Sequence, residues 1–201
     1  VIRLKTLALV SALILPVALG GCISLFPKTK PVQMYRFGQA VPAPSAPAAA
    51  KGLVLKGATV FPPDAAGDHI LTVTGSQTAY IAGATWVSPA AVMFDAALLR
   101  AFDAPGSVRL VERGEPIAAP STLRLDVRAF EARYPGPSAV VQVRATLIRN
   151  ADRSLIAEKM FDATIQASDN RQGPIVAAFD EATNKVIADI RNWTTATAPS
   201  K

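Results

Sequence analysis

The stretch from Leu123 to Ile165 constrains the fold more than any other part of the chain. Leu123, Leu125 and Val127 alternate with Arg124, Asp126 and Arg128. Val141, Val143, Ala145 and Leu147 alternate with Gln142, Arg144, Thr146 and Ile148, and Phe161, Ala163 and Ile165 with Asp162, Thr164 and Gln166. Successive side chains of a strand point to opposite faces, so this period of two specifies three strands, each with one buried and one wet face. Turn-forming residues join them at Tyr134-Pro135-Gly136-Pro137 and Asn150-Ala151-Asp152-Arg153. An antiparallel meander is the simplest arrangement, and its apolar face needs a cover. The C-terminal segment supplies one. Ile175, Phe179, Ala182, Val186, Ile190 and Trp193 recur at spacings of 4, 3, 4, 4 and 3, with Asp180, Glu181, Lys185 and Asp189 on other faces of the helix.

Upstream, Leu53 to Val60 reads as a strand, and Phe61 to Asp68 as a turn-rich connection. Ile70–Thr74 and Thr78–Ala82 form a hairpin across Gly75-Ser76-Gln77. Ser88-Pro89 then reads as a helix start, with Ser88 as N-cap and Pro89 at the first helical position, where a missing N–H costs nothing. That helix runs to about Phe102, with Val92, Ala96, Leu98 or Leu99, and Phe102 inward. Pro105-Gly106 ends it, and Val108–Val111 is a further strand. The expected fold class is α/β (α+β): one mixed, largely antiparallel sheet with two amphipathic helices packed on it.

The N-terminal segment has a different character. Arg3 and Lys5 precede an almost wholly apolar run from Leu7 to Leu19, which ends in Gly20-Gly21-Cys22 and holds the only cysteine. This is the layout of a bacterial lipoprotein signal peptide, residues 1–21. A transmembrane helix needs roughly 20 apolar residues, and this run is shorter and contains Pro16. Lipidation is expected at Cys22: a diacylglycerol thioether, cleavage before the cysteine, and N-acylation of the new amine. No other cofactor is called for. Residues 22–51 read as a tether rich in Pro and Ala, interrupted by Met34-Tyr35-Arg36-Phe37, for which a docked edge strand is preferred to a binding peptide. The folded domain is placed at 52–194 and a flexible tail at 195–201.

Charge and chemistry narrow the function. Loss of Arg3 and Lys5 lowers the formal charge from +6 to +4, and the remaining basic residues are dispersed rather than clustered, which argues against nucleic acid. His69 is the only histidine, beside Asp68, and reads as a solvated turn residue rather than a catalytic base. Metal sites call for clustered His, Cys or carboxylates, and the acids here are isolated. Asp126 and Glu131 are five positions apart, an odd spacing that puts them on opposite faces of a regular strand. No catalytic or metal-binding residue is assigned, and the chain is read as non-enzymatic. Trp86, near Tyr80 and Pro89, is either a buried staple at the start of the helix or an aromatic at a partner-facing or lipid-facing surface. Arg124, Arg128 and Arg144 share one strand face, read as ordinary solvated charge or as a partner-docking patch. Trp86, Tyr80, Arg128 and Arg144 are therefore the candidate contacts with a partner or lipid.

Together the lipobox, the Pro-rich tether, Ile70 through Trp86-Val-Ser-Pro89 to Leu99 and Phe102, the Leu123–Arg128 and Val140–Ile148 strands and the C-terminal amphipathic helix resemble the ABC-type transport auxiliary lipoproteins, the family that includes paraquat-inducible protein C. The resemblance covers most of the chain after Gly52, and the order of elements carries it. It implies a compact α/β domain without catalytic residues. It also implies a partnership with an MCE-domain protein and an ABC permease and ATPase, which move phospholipids or other hydrophobic molecules between the membranes of a Gram-negative envelope. Some members form rings, so a homo-oligomer is compatible with it. Ile23, in place of the Asp that retains enteric lipoproteins at the inner membrane, favours the periplasmic face of the outer membrane. Two other readings compete: a stand-alone periplasmic lipid-binding lipoprotein with a groove between sheet and helices, and an envelope hydrolase, against which the residue inventory argues.

Overall fold

The structure is a computed structural model that describes residues 31–39, 50 and 52–199. The leader, Cys22 and most of the tether lie outside the described residues.

The described chain forms eight strands and two helices: β1 Gln33–Tyr35, β2 Leu53–Val60, β3 His69–Thr74, β4 Gln77–Trp86, α1 Ala90–Phe102, β5 Arg109–Val111, β6 Ser121–Tyr134, β7 Ser138–Arg149, β8 Leu155–Gln166 and α2 Gln172–Thr197. The meander expected from the alternating pattern is present: β6 pairs antiparallel with β7 along its length, and β7 with β8. Leu123, Leu125, Val127, Val141, Val143, Ala145, Leu147, Phe161 and Ala163 are all buried. The other edge of β6 is shared. Its first half pairs in parallel with β2 and its last residues in parallel with β3, so the chain runs alongside β6 twice, leaving it only for the Phe61–Asp68 connection. β4 extends the sheet from β3, β1 lies parallel on β4, and β5 lies parallel on β2. The sheet is mixed, as expected, with its longest ladders antiparallel.

The apolar stripe of α2 covers the inner face of β7 and β8, while α1 packs beside α2 and approaches β2 and β5. Ile175, Phe179, Ala182, Val186 and Ile190 are buried as the periodicity predicted. Trp193 is partly buried, edge-on to Phe161 at 5.7 Å between ring centroids. The helix continues to Thr197, through residues expected to belong to the tail.

Two expectations about α1 need correction. Ser88 does not cap it: Pro89 occupies the N-cap position and no side chain bonds there. The loop does the work instead, because the Ala90 N–H donates to the Gly67 carbonyl at 2.8 Å and the Ala91 N–H to the Ala66 carbonyl at 3.2 Å. With these N–H groups satisfied by backbone, a capping side chain has little left to do. The buried face is also rotated from the expected one. Ala90, Met93, Phe94, Ala97, Leu98, Ala101 and Phe102 face inward, whereas Val92 is 58% exposed.

The Met34–Phe37 segment docks as an edge strand. The compact unit begins at Val32, upstream of Gly52, because Phe37 belongs to the core, at 1% exposure. Gly38 locks the segment in place: its N–H donates to Asp180 Oδ1 at 2.6 Å, and Arg100 Nη2 donates to its carbonyl at 2.9 Å. A Cβ at Gly38 would lie 2.5 Å from the Ala97 Cβ, so only glycine allows this approach to α1.

Candidate functional site

Trp86 is where the sequence left the widest choice, and the structure decides it. The indole is 2% exposed. It meets Phe37 edge-on at 5.0 Å and Phe179 edge-on at 5.5 Å, and Phe130 lies 5.1 Å from Phe37 and 5.0 Å from Phe179. These four rings come from β4, the segment after β1, β6 and α2, so the cluster joins the N-terminal segment, the sheet and the C-terminal helix. Such edge and tilted pairings add to the stabilisation from burial alone. Trp86 as a partner or lipid contact is therefore corrected: its ring is walled in by core aromatics. The space between sheet and helices, where a lipid groove was expected for a stand-alone carrier, is occupied at this point by these side chains.

Tyr80 is 48% exposed and stands on the β3–β4 hairpin. Its ring lies 5.0 Å from that of His69, and its hydroxyl donates to the Asp64 carbonyl at 3.1 Å. The exposed His69 has Nδ1 2.8 Å from Asp68 Oδ1, in keeping with a hydrogen-bonded turn residue.

Arg128 and Arg144 lie on the outer face of the β6–β7 ladder, on the second and third strands from Tyr80 in the sheet, so the candidate residues do not converge on one site. Both are accompanied by acids. Arg128 Nη2 is 2.7 Å from Asp126 Oδ2, and Arg144 Nη1 is 3.8 Å from Glu158 Oε1. Arg124, Arg144, Asp126 and Glu158 line an open cleft of about 250 Å³ together with Ala58 and Val60. The Arg-rich face of the sequence is a face of mixed charge.

That face also corrects the placement of Asp126 and Glu131. The register of β6 against β7 shifts between Val127 and Ala129, where Ala129 pairs with Gln142. The extra residue is a β-bulge at Arg128–Ala129, and it reverses the parity of everything that follows. Val127 and Phe130 thus both face the core, and Asp126 and Glu131 share the outer face. Each is occupied by the arginine two residues on, Glu131 by Arg133 at 2.7 Å. The bulge carries a sequence trace, since apolar positions change from odd to even numbers between Val127 and Phe130.

Elsewhere the ionisable groups act locally. Hydrogen bonds from the Ser154 N–H and hydroxyl hold the Asp152 carboxyl below the usual range, and those from Arg171 do the same for Asp169. Burial pushes the Tyr134 phenol up, and its hydroxyl donates to Asn170 Oδ1 at 2.8 Å. Among the described residues no three His, Cys, Asp or Glu side chains are grouped to hold a metal, and no helix is long and apolar enough to cross a membrane.

Comparison with known proteins gives this architecture a family. Protein XCC0632 from Xanthomonas campestris, a DUF330 protein, superposes with a TM-score of 0.71 at 25% identity, over 82% of this chain and 96% of its own. A solved structure of an uncharacterised protein matches with a TM-score of 0.58 at 19% identity, over 75% of this chain and 96% of its own. The hypothetical protein CT253 from Chlamydia trachomatis shares the fold at a TM-score of 0.50 and 11% identity, over 73% of this chain and 99% of its own. No curated protein matches the chain. The family model described as "ABC-type transport auxiliary lipoprotein component" matches residues 35–191, which takes in Tyr35 at the end of β1, every element from β2 to β8, and α2 as far as Arg191. The chain therefore belongs to the ABC-type transport auxiliary lipoprotein family.

Proposed function

We propose that this protein is a lipoprotein held by the acyl chains of Cys22 at the periplasmic face of the outer membrane. It serves there as a non-catalytic auxiliary subunit of an ABC/MCE-type system that moves phospholipid between membranes. The observation that carries the reading is the family match over residues 35–191, joined to the lipobox that ends at Cys22. A lipid anchor at Cys22, ten positions before the compact unit begins at Val32, suits a subunit that presents its folded domain at one membrane to a partner in the periplasm. Diacylglycerol together with an N-acyl chain exceeds the two signals that stable anchoring needs.

The non-catalytic role is supported by the state of the polar groups. On the outer face Asp126, Glu131 and Glu158 are accompanied by Arg128, Arg133 and Arg144, and His69 is an exposed turn residue beside Asp68. The filled aromatic centre between sheet and helices weighs against the stand-alone carrier.

The test is a pull-down between the acylated protein and the periplasmic part of an MCE-domain protein encoded in the same organism. Retention of the MCE protein, with purified monomer free of bound phospholipid, is the expected result. Phospholipid that copurifies stoichiometrically with a monomer that retains no MCE protein contradicts the reading.

A further inference from the structure

The strand nearest the anchor presents an apolar face that the family assignment does not use. Side chains of the β1 segment alternate, with Tyr35 and Phe37 turned into the core and Val32, Met34 and Arg36 turned out. Val32 is 57% exposed and Met34 69%, large values for apolar side chains on a strand. Val87 continues the same face at 43% exposure, and its N–H donates to the Tyr35 carbonyl at 2.8 Å. The row extends across the sheet, because Met34 pairs with Thr85 and Thr85 with His69, against which Tyr80 rests. Isolated exposed apolar residues need no explanation, but here they adjoin one another with a cation among them.

From these positions we infer that the outer face of β1 is a membrane-docking surface, which seats Val32, Met34 and Val87 in the headgroup layer of the bilayer holding the acyl chains of Cys22. The inference rests on the reading of Cys22 as lipidated. Chain length argues for a bilayer as the occupant. Val32 is ten positions after Cys22, and even fully extended that length of chain spans at most about 36 Å. Val32 is thus among the first parts of the folded body that an anchored chain brings to the surface. The chemistry agrees. Apolar side chains at an interface bury themselves at the headgroup–acyl boundary, a cation beside them meets phosphate, and a tyrosine at the margin suits the same layer. Asp68, next to this row, has Oδ1 2.8 Å from His69 Nδ1. The face is also rigid, since Phe37 is in the core and Gly38 is held by Asp180 and Arg100. The strand therefore docks the whole domain in one orientation rather than swinging free on its tether.

The test uses the acylated full-length protein, purified from its own envelope and reconstituted into vesicles of phosphatidylethanolamine and phosphatidylglycerol. Met34→Cys and Val87→Cys are labelled separately with an environment-sensitive fluorophore, with Leu155→Cys, 62% exposed at the start of β8, as the control. The thioether on Cys22 leaves it unable to react, so wild-type protein takes up no label. Emission that shifts to the blue and loses quenching by aqueous iodide at positions 34 and 87 but not at 155, with the difference reduced by Arg36→Glu, is the expected result. Equal quenching at all three positions, with wild-type protein unlabelled, overturns the docking surface and leaves the anchor intact. Labelling of the wild-type protein at Cys22 overturns the anchor and the docking surface together. Shielding of position 34 that persists without vesicles in the Cys22→Ser background assigns the face to a second copy of the chain and overturns the bilayer as its occupant.

Discussion

Trp86 touches Phe37 and Phe179 edge-on and lies 6.3 Å from Phe130, so its removal opens the junction of three parts of the fold at once. Trp86→Ala is expected to cost about 3–5 kcal/mol, as large aromatic truncations in cores do, read from urea unfolding followed by circular dichroism. A loss below about 1 kcal/mol would place the indole outside the core. Burial was one of two readings of this residue, because Trp86 closes β4 just before Ser88-Pro89, where no period continues to tell inside from outside. Asp152 makes a different point. Its carboxyl is held below the usual range by Ser154, so it contributes stability above the unfolded-state value near 4 and loses it as pH falls through the lower folded value. Asp169 behaves alike beside Arg171. In the double variant Asp152→Asn with Asp169→Asn, stability should fall less steeply than in wild type as pH drops below about 4. Superimposable acid limbs in the two proteins would show that these carboxyls do not report on folding.

At the scale of elements, the meander and α2 were legible because each satisfies one period over its whole length and each has one wet face. β6 pairs in parallel with β2 and β3, and that was illegible, because such pairings join residues far apart in sequence and leave no local mark. The bulge at Arg128–Ala129 left a mark, but reading one strand with one parity passed over it and set Asp126 and Glu131 on opposite faces. The start of α1 failed for a reason that can be tested. Ser88-Pro89 has the composition of a cap, yet the N–H groups that Ser88 would serve are taken by the Gly67 and Ala66 carbonyls. Ser88→Ala should therefore change the unfolding free energy by less than about 0.5 kcal/mol, whereas loss of a working N-cap costs typically about 1 kcal/mol. A loss of 1 kcal/mol or more in chemical denaturation would restore Ser88 as the cap.

For the whole molecule, the family match gives an auxiliary role in ABC-type transport, and the aromatic centre fills the space between sheet and helices where a lipid groove was expected. The candidate contact residues divide among three places: Trp86 builds the interior, Tyr80 stands exposed on the β3–β4 hairpin, and Arg128 and Arg144 lie on the outer face of the meander. Because the two arginines are exposed enough to be replaced without disturbing the core, Arg128→Glu with Arg144→Glu should leave the melting temperature almost unchanged. If this mixed-charge face receives the partner, the same variant loses copurification of the transport complex. Retained copurification would move the docking surface elsewhere.

The central claim is that this lipoprotein works as a subunit of an ABC/MCE-type transport system. The most direct measurement is crosslinking of the tagged protein in its own bacterium, mild solubilisation, and identification of the copurifying proteins by mass spectrometry. The account predicts an MCE-domain protein together with ABC permease or ATPase components. Recovery of the protein with none of these, under conditions that preserve other envelope complexes, would contradict it.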